Sequence, residues 1–174
     1  MKRIRLFSGF YPDEYMDSAY LIDYEQLYAR GIRGLIYDID NTLVEHDAPA
    51  DDRARALFAR LDKIGFKVVF ISNNKEPRVR SFSEALPIKS EYVYKAGKPK
   101  RAGYLKAMNI MGTDKSTTVF IGDQLFTDVW GAKRCGIYNI LTKPISPKEE
   151  IQIILKRRLE WLVLREYKKF KEIG

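Results

Sequence analysis

The chain has 174 residues, enough for one domain with a substantial core that needs neither disulfides nor a structural metal. Hydrophobic residues make up 45% and charged residues 31%, as in ordinary globular proteins, and the net charge of +8 favours anionic partners. Cys135 is the only cysteine, which excludes an intrachain disulfide, and no stretch reaches the roughly 20 apolar residues that span a bilayer, so we expect a cytoplasmic protein.

Strands and helices are predicted to alternate along most of the chain. Residues 1–31 show no clear period apart from a short helix near 24–30, and we treat them as an N-terminal extension. Strands are expected at 32–37, 67–71, 92–94, 118–121 and 138–141, and helices at 51–64, 77–86, 100–111, 128–135 and about 148–173. This alternation is typical of one α/β domain with a mainly parallel sheet and helices on both faces.

Two carboxylates follow the first of these strands. Asp38 and Asp40 come directly after the apolar run 34–37. Ligands of open α/β sheets bind at the carboxyl ends of the strands. Charge at such a place is costly unless a cation or a reaction requires it, so the pair predicts a functional site.

Polar residues also follow the next two long strands. Ser72 and Asn73 end the second, and Asp123 ends the third, with Asp128 just beyond. Between them, Lys98 precedes a predicted helix. Because neighbouring strands lie about 5 Å apart, these groups should meet at one edge of the sheet.

Each of these residue types suits phosphate chemistry. Carboxylates together with a substrate phosphate provide the oxygen ligands that Mg²⁺ prefers. The Ser72 hydroxyl and the Lys98 ammonium could stabilise a transferring phosphoryl group. Asp40 could protonate the leaving oxygen and later deprotonate a water.

The order of the motifs resembles that of haloacid dehalogenase (HAD) superfamily phosphatases. The likeness rests on residues 36–43, 70–73, 98–99 and 122–128. It implies a three-layer HAD-like Rossmannoid fold, with Asp38 as the nucleophile that forms an aspartyl-phosphate and Asp40 as general acid and base. It also implies Mg²⁺ held by Asp38, by the backbone carbonyl of Asp40 and by Asp123.

Further roles follow from the same resemblance. Ser72, Asn73 and Lys98 are assigned to the phosphate. Asp128 is expected to support the metal from outside its ligand set, and Thr42 to support the first motif by hydrogen bonding rather than by touching substrate.

A finer resemblance is to the YqeG-like bacterial group, related to the phosphatidylglycerophosphate phosphatases of mitochondria and plastids. It rests on residues 11–15, 40–44 and 122–128. HAD cap domains are inserted between the first and second motifs or between the second and third, and neither interval here has room for a sizeable one. The resemblance therefore implies a subclass IIIA enzyme with an open site, which suits phosphates on bulky carriers or a lid from a neighbouring subunit.

Several residues have a second interpretation. Lys95 is an alternative to Lys98, but no proline follows it. His46 is expected to be solvated rather than a ligand, and Cys135 to be a small buried side chain. Thr127 and Asp128 could also serve to cap the helix that follows them.

The predicted C-terminal helix is basic, and its apolar residues spread around the helix. Packing on the sheet, peripheral contact with an anionic membrane and formation of a homodimer stay open as its roles. The function predicted for the chain is Mg²⁺-dependent hydrolysis of a phosphomonoester of unknown identity. The alternatives are a membrane-associated phosphatidylglycerophosphate phosphatase and a non-catalytic RNA- or protein-binding protein. The intact catalytic positions argue against the last, and nucleic acid is not an expected partner.

Overall fold

A parallel β-sheet forms the centre of the computed structural model, which describes residues 7–146 and 151–171. Within these residues the sheet has six strands in the order β1-β6-β5-β2-β3-β4. The strands are β1 (Glu14–Met16), β2 (Gly34–Tyr37), β3 (Lys67–Ile71), β4 (Glu91–Val93), β5 (Thr118–Gly122) and β6 (Tyr138–Thr142). The helices are α1 (Tyr24–Ala29), α2 (Asp52–Ile64), α3 (Glu76–Glu84), α4 (Arg101–Met111), α5 (Trp130–Arg134) and α6 (Ile151–Lys171).

Helix α2 shows how local sequence sets these boundaries. The Asp51 carboxylate accepts a hydrogen bond from the Ala54 amide at 2.7 Å, so it caps the first turn. The helix ends at Gly65, whose φ of +104° lies in the left-handed region that glycine adopts without strain. Between these two ends, the helix buries Ala54, Leu57, Phe58 and Leu61.

The sheet separates two apolar layers. Because side chains alternate along a strand, Leu35 and Tyr37 of β2 lie in the layer with α1, α2 and α3, whereas Ile36 lies in the layer with α4 and α5. The α/β architecture with helices on both faces is therefore confirmed. Neither the connection from β2 to β3 nor that from β3 to β4 contains an inserted domain, as predicted.

Two elements differ from the sequence prediction. The segment predicted to be an N-terminal extension contains β1, which pairs with the edge of β6 and makes the sheet one strand wider than expected. A π-helical turn, Leu125–Val129, runs directly into α5, so the helical backbone begins before Asp128 rather than at it. Asp128 therefore lies inside the helical stretch, and α5 has no side-chain cap.

Helix α6 packs beside the π-helical turn. Val163 and Tyr167 are buried in a small apolar cluster that also contains Tyr11 and Leu125. The predicted helix extended from about 148 to 173, and residues 147–150 and 172–174 lie outside the described part. Within the described parts of the chain, no helix has the length and apolar character needed to cross a bilayer.

Candidate active site

The predicted site residues converge at the carboxyl edge of the sheet. Asp38 follows β2, Ser72 follows β3 and Asp123 follows β5, and β2 pairs with both of the other strands. Lys98 lies in the connection between β4 and α4. A cavity of about 300 Å³ opens here and is lined by Asp38, Asp40, Asn41, His46, Ser72, Asn73, Asn74, Lys98, Gln124, Thr127 and Lys156.

Lys98 lies between two buried carboxylates. Its Nζ donates to Oδ1 of Asp38 at 2.5 Å and to Oδ1 of Asp128 at 2.7 Å. The Lys98 side chain is 5% exposed and that of Asp128 is 0% exposed. The ammonium therefore has two anionic partners away from bulk water, where such pairs are strong if every group is satisfied.

Burial and these contacts shift the pKa of Lys98 and that of Asp38, the candidate nucleophile. Burial raises the pKa of Asp38 well above its ordinary value, Lys98 opposes that shift, and Asp128 and Asp123 add to it. Burial disfavours the Lys98 ammonium, but Asp128 and Asp38 outweigh burial and raise the pKa of Lys98. Lys98 is thus the group that keeps a negative charge on Asp38 tolerable.

Three carboxylates form the candidate metal centre. Oxygen atoms of Asp38, Asp123 and Asp128 all lie within 4.8 Å of one another, and all three residues are buried. An oxygen-only donor set fits Mg²⁺, which also keeps water ligands and binds substrate phosphate. Asp38 and Asp123 were predicted as ligands and Asp128 as their support, and the structure brings the three together.

Asp123 is held from two sides. Its Oδ1 accepts a hydrogen bond from the Thr42 hydroxyl at 3.1 Å, and its Oδ2 pairs with the guanidinium of Arg157 on α6. Burial raises the pKa of Asp123 to about 6, Arg157 opposes the shift and Asp128 adds to it. Thr42 thus contacts a predicted metal ligand and does not line the cavity. Its expected support of the first motif stays a prediction.

Asp128 holds the turn that follows β5. Its Oδ2 accepts hydrogen bonds from the backbone amides of Asp123 at 3.1 Å and Gln124 at 3.0 Å. A Cβ on Gly122 would lie 2.6 Å from that oxygen, so only glycine fits at this close approach. Tyr104 of α4 holds the same turn by donating to the carbonyls of Thr127 at 2.8 Å and Asp128 at 3.1 Å.

The Asp40 side chain lies at the mouth of the cavity and outside the buried carboxylate group. Its Oδ1 accepts from Nη2 of Arg78 at 2.7 Å and from the backbone amide of Asp47 at 2.9 Å, and its Oδ2 accepts from the side-chain Nδ2 of Asn74 at 2.9 Å. These donors fix the position of the carboxylate beside the cavity. The predicted metal ligand of this residue is its carbonyl oxygen, and that assignment stays a prediction.

Ser72 and Asn73 organise the neighbouring loop. The Ser72 hydroxyl accepts from the Asn74 amide at 3.1 Å. The Asn73 side chain brackets Lys98, accepting from its backbone N–H at 2.7 Å and donating to its carbonyl at 3.2 Å. The contacts of the Asn73 side chain are therefore those of a residue that positions the lysine, and its predicted contact with phosphate stays a prediction.

Sequence reasoning missed three side chains of this site: Arg78, Tyr104 and Arg157. Arg78 contacts Asp40, Tyr104 contacts the backbone of Asp128 and Arg157 contacts Asp123. Each of the three lies on a helix outside the motifs. Arg78 had one usable signal, since it lies near the start of a helix that follows a predicted strand end. Nothing in the sequence around Arg157 distinguished it from its basic neighbours.

The structure shows where the residues with a second interpretation lie. Lys95 is exposed, whereas Lys98 is buried against the carboxylates, so Lys98 is the lysine of the site. His46 is exposed, lines the mouth of the cavity and lies 3.4 Å from Asp47. Cys135 is buried, as expected.

A larger cavity, about 470 Å³, lies at the opposite edge of the sheet. Its walls include Arg30, Lys115 and Tyr138. Among the described residues, the groups of three metal-ligating side chains lie at the carboxyl edge and not in this cavity. We therefore place the chemistry in the smaller cavity.

Comparisons with known proteins identify the family of this chain. The family model for haloacid dehalogenase-like hydrolases matches residues 24–136. The chain is 39% identical over 161 residues to "Probable phosphatase YqeG" of Bacillus subtilis, and the match covers 92% of each protein.

A second relative is longer than this chain. Phosphatidylglycerophosphate phosphatase 1, chloroplastic/mitochondrial, of Arabidopsis thaliana is 27% identical over 164 residues, which cover 84% of this chain but 44% of that protein. Among solved structures, the cobalt-bound deoxy-D-mannose-octulosonate 8-phosphate phosphatase of Haemophilus influenzae has a TM-score of 0.54 at 18% identity, covering 80% of this chain and 91% of that one. This last likeness concerns the fold alone.

Proposed function

Because this chain belongs to the haloacid dehalogenase-like hydrolases and is a phosphatase, we propose that it hydrolyses phosphomonoesters through a phosphoaspartyl intermediate on Asp38, with Mg²⁺ as cofactor. The observation that carries the proposal is the buried group Asp38, Asp123 and Asp128, joined to Lys98 at the floor of an open cavity.

Asp38 is the nucleophile of the first step. One of its carboxylate oxygens attacks phosphorus, an aspartyl-phosphate bond forms and the bond from phosphorus to the ester oxygen breaks. Lys98 contacts Asp38 directly, so its ammonium lies where the negative charge of the transferring phosphoryl group develops. The Ser72 hydroxyl, which lines the same cavity, is placed to donate to a phosphoryl oxygen.

Asp40 moves the protons. In its protonated form it gives a proton to the departing alcohol oxygen, and as a carboxylate it takes one from the water that attacks the aspartyl-phosphate. That second attack releases inorganic phosphate and restores Asp38. Arg78 and Asn74 hold Asp40 for both steps.

Mg²⁺, held by Asp38, the Asp40 carbonyl and Asp123, would neutralise the dianionic phosphate next to the carboxylates. Two of these ligands, Asp38 and Asp123, belong to the buried group of carboxylates whose oxygens lie within 4.8 Å of one another, which supports this assignment.

The test is phosphate release from an aryl phosphate, measured with and without EDTA. We expect Asp38→Asn to abolish release, and Asp62→Asn, an exposed aspartate on α2, to leave it unchanged. A ³²P-labelled substrate should label the wild-type protein but not Asp38→Asn. Metal-dependent turnover by a folded Asp38→Asn protein would refute the nucleophile assignment.

A second candidate is a membrane-associated lipid phosphatase. One face of α6 exposes Leu155, Leu159 and Leu162, with fractional exposures of 61%, 57% and 47%. Basic side chains flank them, and Lys156 of the same helix lines the cavity, so a surface that suits an anionic membrane adjoins the mouth of the site. A phosphatidylglycerophosphate phosphatase among the relatives also favours this candidate.

Vesicle flotation tests the lipid candidate. Wild-type protein should float with vesicles that contain phosphatidylglycerol and not with neutral ones, and Leu155→Ser/Leu159→Ser should stay in solution. If the protein binds neither vesicle and sediments as a dimer that the same variant dissociates, the α6 face is instead a subunit interface.

A further inference from the structure

The C-terminal helix supplies a cation to the candidate metal centre. Arg157 lies on α6, beyond the segment 24–136 that matches the hydrolase family model. Its side chain is 19% exposed, while the Asp123 carboxylate that it contacts is 0% exposed. A basic residue of a solvated helix face would be more exposed, so Arg157 is directed into the protein.

Arg157 holds Asp123 by a two-point contact. Nη1 donates to the backbone carbonyl of Asp123 at 2.6 Å, and Nη2 pairs with the Oδ2 atom of the same residue. A planar guanidinium that binds both atoms fixes the direction of the side chain relative to its own backbone. A lysine ammonium at this place would keep the charge and lose that fixed geometry.

The guanidinium is itself oriented by Glu160, one turn further along α6. Glu160 Oε2 accepts from Nη1 of Arg157 at 3.1 Å, and Oε1 accepts from the backbone amide of Phe126 at 3.3 Å. Glu160 is buried, and Val163 on the following turn packs in the apolar cluster beside the π-helical turn. The chain of contacts therefore runs from the helix packing through Glu160 and Arg157 to Asp123.

Arg157 and a metal ion need not compete for Asp123. An ionised carboxylate offers about four lone-pair sites on its two oxygens. Thr42 contacts Oδ1 and Arg157 contacts Oδ2, so each oxygen keeps acceptor capacity for a cation. Partners that orient a ligating carboxylate in this way raise metal affinity by restricting the ligand to its binding geometry.

We infer that Arg157 is a positioning residue which fixes Asp123 for the divalent cation, so that α6 is part of the catalytic apparatus. The inference rests on the proposed function, because it assigns Asp123 to a metal. It names a residue that contacts neither the substrate nor the metal and acts through Asp123.

Charge and geometry must be separated in the test, because a guanidinium also repels a divalent cation. Two variants remove the two-point contact. Arg157→Lys keeps the positive charge, and Arg157→Gln/Glu160→Gln keeps the net charge of the pair at pH 8, above the Glu160 pKa of about 7. Arg158→Gln is the matched control, since it removes a positive charge from the next, exposed position of the same helix. Val163→Ala is the second control, since it loosens the packing of α6 and leaves the contact with Asp123 intact.

The readout is the affinity for Mn²⁺, measured by calorimetry on metal-free full-length protein without substrate. We expect Arg157→Lys and the double variant to bind Mn²⁺ about 10- to 100-fold more weakly than wild type. Arg158→Gln and Val163→Ala should bind within about twofold of wild type, and circular dichroism should show all variants folded.

Three results would overturn the inference. Unchanged or tighter Mn²⁺ binding by both charge-conserving variants would show that the contact does not orient Asp123. An equal loss in Val163→Ala would show that Arg157 acts by anchoring the helix. Failure of wild type to bind Mn²⁺ would overturn the inference together with the metal-dependent function, whereas the first two results leave that function intact.

Discussion

Replacing Lys98 by methionine tests the electrostatics of the site most directly. The substitution keeps a long, unbranched side chain and removes the ammonium that joins Asp38 to Asp128. Both carboxylates are buried, with side-chain exposures of 9% and 0%. Removing one partner of a buried ion pair costs about 3–5 kcal/mol when the other stays charged.

The cost should depend on pH, because Asp38 can take up a proton instead. Without Lys98 the pKa of Asp38, already raised by burial, rises further above its value in the unfolded chain. Between those two values the folded variant binds protons that the unfolded variant releases, so its stability falls as pH increases. We therefore expect a small loss of stability at about pH 5 and the full ~3–5 kcal/mol at about pH 8.

The measurement is urea unfolding of wild type and Lys98→Met in EDTA across this pH range. Lys95→Met is the matched control, because Lys95 is exposed and near in sequence, and its effect should stay below about 0.5 kcal/mol. A double-mutant cycle with Asp128→Asn should show coupling between the two sites. A loss below about 1 kcal/mol that does not change with pH would refute the buried-pair argument.

Three further predictions concern groups around the metal centre. Burial raises the pKa of Glu160 to about 7, so the folded state holds a proton there that the unfolded chain has released. Wild type should therefore lose up to ~3 kcal/mol of stability relative to Glu160→Gln as pH rises from about 4.5 to 7, measured by urea unfolding. Gly122→Ala would place a Cβ 2.6 Å from Asp128 Oδ2 and 2.8 Å from Phe120 Cε1, and should cost about 1–3 kcal/mol in urea unfolding together with most of the phosphatase activity. Tyr104→Phe removes the hydroxyl that donates to the Thr127 and Asp128 carbonyls. It should cost about 1 kcal/mol of folding stability, which would lower the melting temperature by roughly 2–4 °C.

The central strands, and the positions of the polar residues at their ends, were predictable because both depend on local sequence. Residues 34–37 form an uninterrupted apolar run, and all of them are buried between the two helical layers. Asp38 follows that run directly, so the end of the strand fixes its place in the fold. The same reasoning located Ser72 and Asp123 from the runs that precede them.

The sequence analysis missed strand β1 because the residues that make it a strand lie elsewhere in the chain. Glu14–Met16 is short and half-buried and has no alternation of apolar and polar residues. It becomes a strand because β6 offers an unpaired edge. Beside it, the backbone amide of Asn139 donates to the Asp13 carboxylate at 3.0 Å, and the Asp13 backbone amide donates to Asn139 Oδ1 at 3.2 Å. A window of sequence around β1 contains neither β6 nor Asn139.

The basic residues near the start of α6 show that local sequence also could not predict every residue of the site. Consecutive residues of a helix point about 100° apart, so Lys156, Arg157 and Arg158 must face three directions whatever the helix packs against. Docking of the helix decides which direction is inward: Lys156 lines the cavity, Arg157 reaches Asp123 and Arg158 is exposed. The spacing of Arg157 and Glu160 is that of an ordinary surface ion pair. What makes the pair functional is burial against the turn after β5, which depends on tertiary packing and therefore required the structure.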